Sequence, residues 1–110
     1  MAQPNPPVVV VPVGPTSTVV ADIDVRSDEW VTLQVDNLDG TQTFTGIVER
    51  RQSPEMDWAP STMGDYAGIA PGTSVVADLD VSGTGYLRVV GTMDGLGGDV
   101  SVCARRGSRK

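Results

Sequence analysis

The chain has 110 residues, with eight basic against fourteen acidic side chains and a net charge of −6. That length holds one domain with a real core, and the acidic balance argues against general nucleic-acid binding, which needs a basic surface to neutralise phosphates. With no His and a single Cys, Cys103, the sequence lacks the commonest general base, the commonest transition-metal ligand and any intrachain disulfide.

Residues 1–16 read as an extended arm. Pro4, Pro6, Pro7, Pro12 and Pro15 forbid helix. Between them Val8, Val9, Val10, Val11 and Val13 favour a strand, and Pro12 places that strand at a sheet edge. Exposed, four consecutive valines would be adhesive, so the arm either completes the domain's own sheet or reaches a neighbouring subunit. The start of the chain lacks the basic region of a signal peptide. No stretch approaches the roughly 20 apolar residues of a membrane span. The expectation is a chain made in the cytosol, with no membrane partner.

Val19–Val25, VVADIDV, then alternates, with Val19, Ala21, Ile23 and Val25 on one face and Val20, Asp22 and Asp24 on the other. Trp30–Asp36 alternates again, with Val31, Leu33 and Val35 inward. Asn37–Gly40 carries an Asp-Gly turn signal. Thr41–Arg51 reads as a third strand. Residues 52–72 form a long connection, too apolar for a free linker, with Met56, Trp58, Met63, Tyr66 and Ile69 among Pro and Gly. It suits a crossover packed over a sandwich end, with room for a short strand or helical turn inside it.

The strand Val75–Val81, VVADLDV, repeats Val19–Val25 at an offset of 56, with six of seven residues identical. Tyr86-Leu-Arg-Val faces Trp30-Val-Thr-Leu at the same offset. With the offset slipped by one, TMDG at 92–95 faces NLDG at 37–40, and Val102–Arg106 faces Ile47–Arg51. The chain reads as two copies of one three-strand unit, residues 17–53 and 73–106, followed by a basic tail at 107–110. About seven strands and no amphipathic helix predict an all-β, antiparallel two-sheet sandwich, jelly-roll-like, with an internal two-fold repeat and an extended N-terminal arm.

Catalytic readings fare poorly. Asp78-Leu-Asp80-Val-Ser82-Gly83 resembles the opening of a calcium loop, but Val89 stands where a bidentate Glu is required. Asp22 and Asp24 share an exposed strand face, where nothing raises a carboxyl pKa for glycoside chemistry. No Ser, Thr or Cys has a visible base, and Cys103 reads as a core or half-buried residue. No enzyme activity, cofactor or metal is expected. Trp30, Trp58, Tyr66 and Tyr86 suit capping of the sandwich ends, protein contact or a sugar-binding platform. The pairs Arg50–Arg51 and Arg105–Arg106 match between the copies in the slipped alignment, and seven of the eight basic residues are Arg, which suits bidentate contacts at protein surfaces. The candidate partner-binding residues are therefore the five arm valines with Trp30, Trp58, Tyr86, Arg105 and Arg106.

The Pro/Val arm, the run Ile69-Ala-Pro-Gly-Thr-Ser into VVADLDV, the strand GYLRVVGTM and the closing DVSVCARR together resemble the small accessory virion proteins of tailed bacteriophages. The resemblance covers most of the chain and transfers no single catalytic or binding residue. It implies a compact β-sandwich that decorates or cements the outside of a phage head, located in the virion after synthesis in the host cytoplasm. The partners it implies are the major capsid protein or other virion proteins, with a homo-oligomer such as a trimer at a symmetry axis. The alternatives are a head–tail connector or tail structural component and, in another class, a carbohydrate-binding β-sandwich module.

Overall fold

The computed structural model describes residues 6–61 and 66–108; the expectation for Met63 falls outside them. Nine strands occur among the described residues. In chain order they are β1 Val9–Val13, β2 Thr18–Asp24, β3 Trp30–Asn37, β4 Phe44–Arg51, β5 Ala59–Pro60, β6 Tyr66–Ile69, β7 Ser74–Asp80, β8 Tyr86–Met93 and β9 Gly98–Gly107. One sheet has the order β1-β9-β3-β7. The other has the order β2-β8-β4, with both β5 and β6 on the outer side of β4. Every pairing is antiparallel. Apart from the step through β5 to β6, each successive strand crosses to the other sheet. Eight strands wound this way make a jelly roll, and the expected fold class is the one observed. The two strands added to the expected seven, β5 and β6, lie inside the long connection.

Strand alternation puts Val31, Leu33, Val35, Leu79, Leu87 and Val89 into a shared core with no exposure or nearly none, as the period of two requires. The first unit departs from its expected facing. A bulge between Val19 and Ala21 makes Val20 the extra residue of β2. Val20 is therefore buried and Val19 is 43% exposed, the reverse of the simple alternation.

The repeat is present in the pairing itself. Adding 56 to a β3 residue and subtracting 56 from its β7 partner turns Trp30↔Asp80 into Tyr86↔Asp24 and Leu33↔Ala77 into Val89↔Ala21, both observed pairs. The same operation turns Trp30↔Gly107 into Tyr86↔Arg51 and Asn37↔Val100 into Met93↔Phe44. The turns obey it too. Val25 N–H donates to the Gly85 carbonyl at 3.0 Å, and Val81 N–H to that of Glu29 at 3.1 Å. Asp24 and Asp80 each accept from the backbone N–H two residues on, Arg26 and Ser82, at 3.1 and 3.0 Å.

Two corrections follow. The offset does not slip to 55 in the third strand: Arg50 is the counterpart of Arg106, and Arg51 that of Gly107, so the two Arg pairs are not equivalent. The unit also has four strands rather than three. β1 borders β9 as β6 borders β4, because Val9↔Val102 and Val11↔Val100 correspond to Tyr66↔Gly46 and Ile69↔Phe44. Of the two placements open to the arm valines, Val9–Val13 take the domain's own sheet.

Candidate functional site

The arm valines divide by face. Val13 lies in the core at 2% exposure, and half-buried Val11 packs against that core. Val8, Val9 and Val10 are 64%, 53% and 56% exposed. Among the described residues β1 pairs with β9 on one side only, and no other strand borders its second edge. Val10 stands opposite Ser101 on the outer face, while Val9, opposite Val102, lines a cleft of about 320 Å³ between β1, β9 and β2. A second apolar row crosses the outer face of the other sheet, where register sets Val19 beside Val90 and Val90 beside Ile47. Ile47 is 54% exposed.

The aromatic and Arg candidates gather at one end of the sandwich. Trp30 and Tyr86 both begin strands there, on the outer faces of opposite sheets. Trp30 packs on Gly107, where a Cβ would meet its ring at 3.0 Å. The Arg51 and Arg88 guanidinium carbons lie 4.4 and 4.5 Å from the Trp58 ring centre, and Arg88 also pairs with Glu49 at 2.7 Å. Arg26 lies 5.3 Å and Arg51 5.8 Å from the Tyr86 ring centre. These cation–π contacts fix the crossover against the sheet. Arg51 also donates to the carbonyls of Pro54 and Met56 at 3.1 and 3.3 Å.

The aromatics therefore do not make a shared flat platform. Trp58 and Tyr86 carry guanidinium groups, Trp30 is on the other sheet, and Tyr66 is fully buried, with its hydroxyl donating to the Leu33 carbonyl at 2.8 Å. Burial, and secondarily the charge of Asp78, pushes the Tyr66 hydroxyl pKa well above its ordinary value.

Arg106 donates to the Asp24 carbonyl at 2.8 Å and reaches Asp28 at 3.7 Å. Arg105 is exposed beside Thr32. Asp24 is held at about 2, chiefly by its side-chain hydrogen bond from Arg26. Asp78, read as part of a calcium-loop opening, sits on β7 and accepts from the Thr32 hydroxyl at 2.6 Å. Cys103 is half-buried. The role of Arg51 and Arg88 in holding Trp58 was missed from sequence. Alternation places Arg51 and Arg88 outward, but nothing local says that residue 58 returns over them.

No family model matches the sequence, and no curated protein matches it. Among solved structures, the SPBc2 prophage-derived protein YomS aligns with a TM-score of 0.52 at 8% identity, over 96% of this chain and 99% of that one. At that identity the likeness is one of fold. A chain from the infectious bursal disease virus Gt strain aligns at TM-score 0.47 and 9% identity, over 94% of this chain and 30% of that one. A chain described as CBM4 aligns at 0.40 and 11%, over 89% and 78%. Neither of these two is close enough to bear on function. The chain is similar in fold, from end to end, to a prophage-derived protein.

Proposed function

We propose that this chain is a virion structural protein that binds the outer surface of a phage head through its β1 edge and decorates or cements it. The observation that carries the reading is the valine edge: Val9 and Val10, with Val8 just before them, stay more than half exposed at a strand that pairs on one side only among the described residues. An apolar edge of this kind invites pairing with another chain, and surface sheets are normally blunted against that. Strand addition uses such an edge for affinity, through main-chain bonds, and takes specificity from alternate side chains. The end-to-end likeness in fold to a protein of prophage origin supports the same setting. Copies would sit around a symmetry axis of the head as a homo-oligomer.

The test is co-sedimentation with preformed heads of the major capsid protein encoded in the same genome. The expected result is saturable binding by the wild type and loss of binding on Val8→Lys with Val10→Lys, at unchanged thermal stability. Equal binding by the double variant would remove the edge from the mechanism. Binding to tail assemblies in place of heads would favour the connector or tail reading.

A further inference from the structure

The two-fold operation relates two surface clefts at the Arg-rich end, and they differ in their charged groups. The first, about 430 Å³, is lined by Asp24, Arg26, Ser27, Asp28 and Arg106. Moving these by 56 gives Asp80, Ser82, Gly83, Thr84 and Arg50. The last four line a second cleft of about 450 Å³, closed on its other side by the crossover at Met56, Asp57 and Ala59. In the first cleft the guanidinium of Arg106 is answered within the chain by Asp28. In the second, Thr84 stands where Asp28 would be, and Ser82 where Arg26 would be. The ion pairs Arg26–Asp24, Arg88–Glu49 and Arg106–Asp28 do not involve Arg50, and no acid pairs with it among the described residues. Asp57 lines the same cleft without pairing to it.

The walls of the cleft are tied by bonds of their own. Gln52 donates to the Gly83 carbonyl at 2.7 Å, and Arg51 is committed to the carbonyls of Pro54 and Met56. Arg50 is left exposed between the turn and the crossover, its fork of donors unpaired by an acid.

We infer that the Arg50 cleft receives a carboxylate from a partner protein, an Asp or Glu side chain that supplies from outside what Asp28 supplies at the equivalent cleft. A guanidinium fork matches a carboxylate bidentately. A nucleic acid fits poorly, since a chain of net charge −6 repels a polyanion, and two adjacent arginines beside Asp57, Arg51 of them committed to backbone carbonyls, offer no track for successive phosphates. This goes beyond the head-binding reading by naming a second contact and its chemistry, and it rests on the cleft alone.

The test uses the full chain at low ionic strength, titrated with a short oligoglutamate peptide or with inorganic phosphate, while NMR follows the Arg Nε–Hε signals. The peptide is expected to move the Arg50 signal and leave that of Arg106 in place. Arg50→Gln, an exposed change, is expected to weaken binding about fivefold, the scale of an accessible ion pair. Asp28→Thr, which makes the first cleft resemble the second, is expected to make Arg106 respond as Arg50 does. Equal movement of Arg50 and Arg106 in the wild type, unchanged binding by Arg50→Gln, or phosphate binding as tightly as the peptide would each overturn the inference. Because the probe is a peptide, the outcome is independent of whether heads bind the valine edge.

Discussion

The two open flanks of the sandwich follow one plan and are filled differently. Between β4, β6 and β7 the gap is plugged: Tyr66 enters it at no exposure, over the facing glycines Gly46 and Gly91. A Cβ on Gly91 would collide with the ring of Phe44, so the pair of glycines makes the slot in which Phe44 lies. At the counterpart flank Val35 and Val102 replace those glycines, Val100 replaces Phe44, and Val9 stands where Tyr66 stands. No aromatic side chain fills the space, and the cleft of about 320 Å³ remains. The lesson is that one backbone plan supports two packing solutions. Large-on-small closes the first flank, while uniform valines leave the second open beside the very edge proposed to bind a partner.

Emptying the glycine slot should have the largest effect. Phe44→Ala leaves the glycine slot empty, and a loss of about 3–5 kcal/mol in denaturant unfolding is expected; a loss under about 1 kcal/mol would mean that this flank is not the better packed one. Tyr66→Phe keeps the ring and deletes the bond to Leu33, for an expected loss of about 1 kcal/mol. It also has a pH signature. The folded-state pKa of Tyr66 is raised by burial, so its contribution is complete below the unfolded value of about 10 and declines as pH rises beyond that. Wild-type stability should fall in that alkaline range, and Tyr66→Phe should flatten the fall.

The opposite change is made on the open flank. Val9→Phe places an aromatic ring at the position equivalent to Tyr66 and is expected to add about 1 kcal/mol through extra apolar burial. Destabilisation would show that the cleft cannot accept a ring.

The smallest effect concerns the turn at Asp24. Its folded-state pKa is depressed by Arg26, so any stability it contributes is present above the ordinary carboxylate value and lost as pH falls toward about 2. NMR titration of Arg26→Ala should return Asp24 toward about 4. No change would remove Arg26 as the cause.

Much of this was legible in the sequence, and for a physical reason. VVADIDV and VVADLDV each hold inward aliphatic side chains and a closing Asp that accepts from the next turn, so two equivalent strands kept the same letters. The fourth strand of the second unit was harder to see. β6 has four residues and lies in a Gly/Pro-rich connection. Its signal was the likeness of Val13-Gly-Pro-Thr-Ser-Thr to Ile69-Ala-Pro-Gly-Thr-Ser ahead of the two repeats, although in the pairing it is Val11 that takes the place of Ile69. Aligning Arg with Arg gave an offset that the backbone pairing does not keep. The difference between Asp28 and Thr84 is plain in the letters, but it acquires meaning only when the fold brings each beside its arginine.

The central claim is that the exposed valine edge is built for assembly. Val13 sits in the core, so truncating the arm would also damage packing, and surface substitutions are the cleaner probe. The direct measurement is the amount of chain bound per preformed head, by sedimentation, for the wild type and for Val8→Lys with Val10→Lys. The account predicts saturable binding by the wild type and loss of binding by a folded variant with the same unfolding midpoint. Equal binding by the variant, or no binding by the wild type at any concentration, would contradict it.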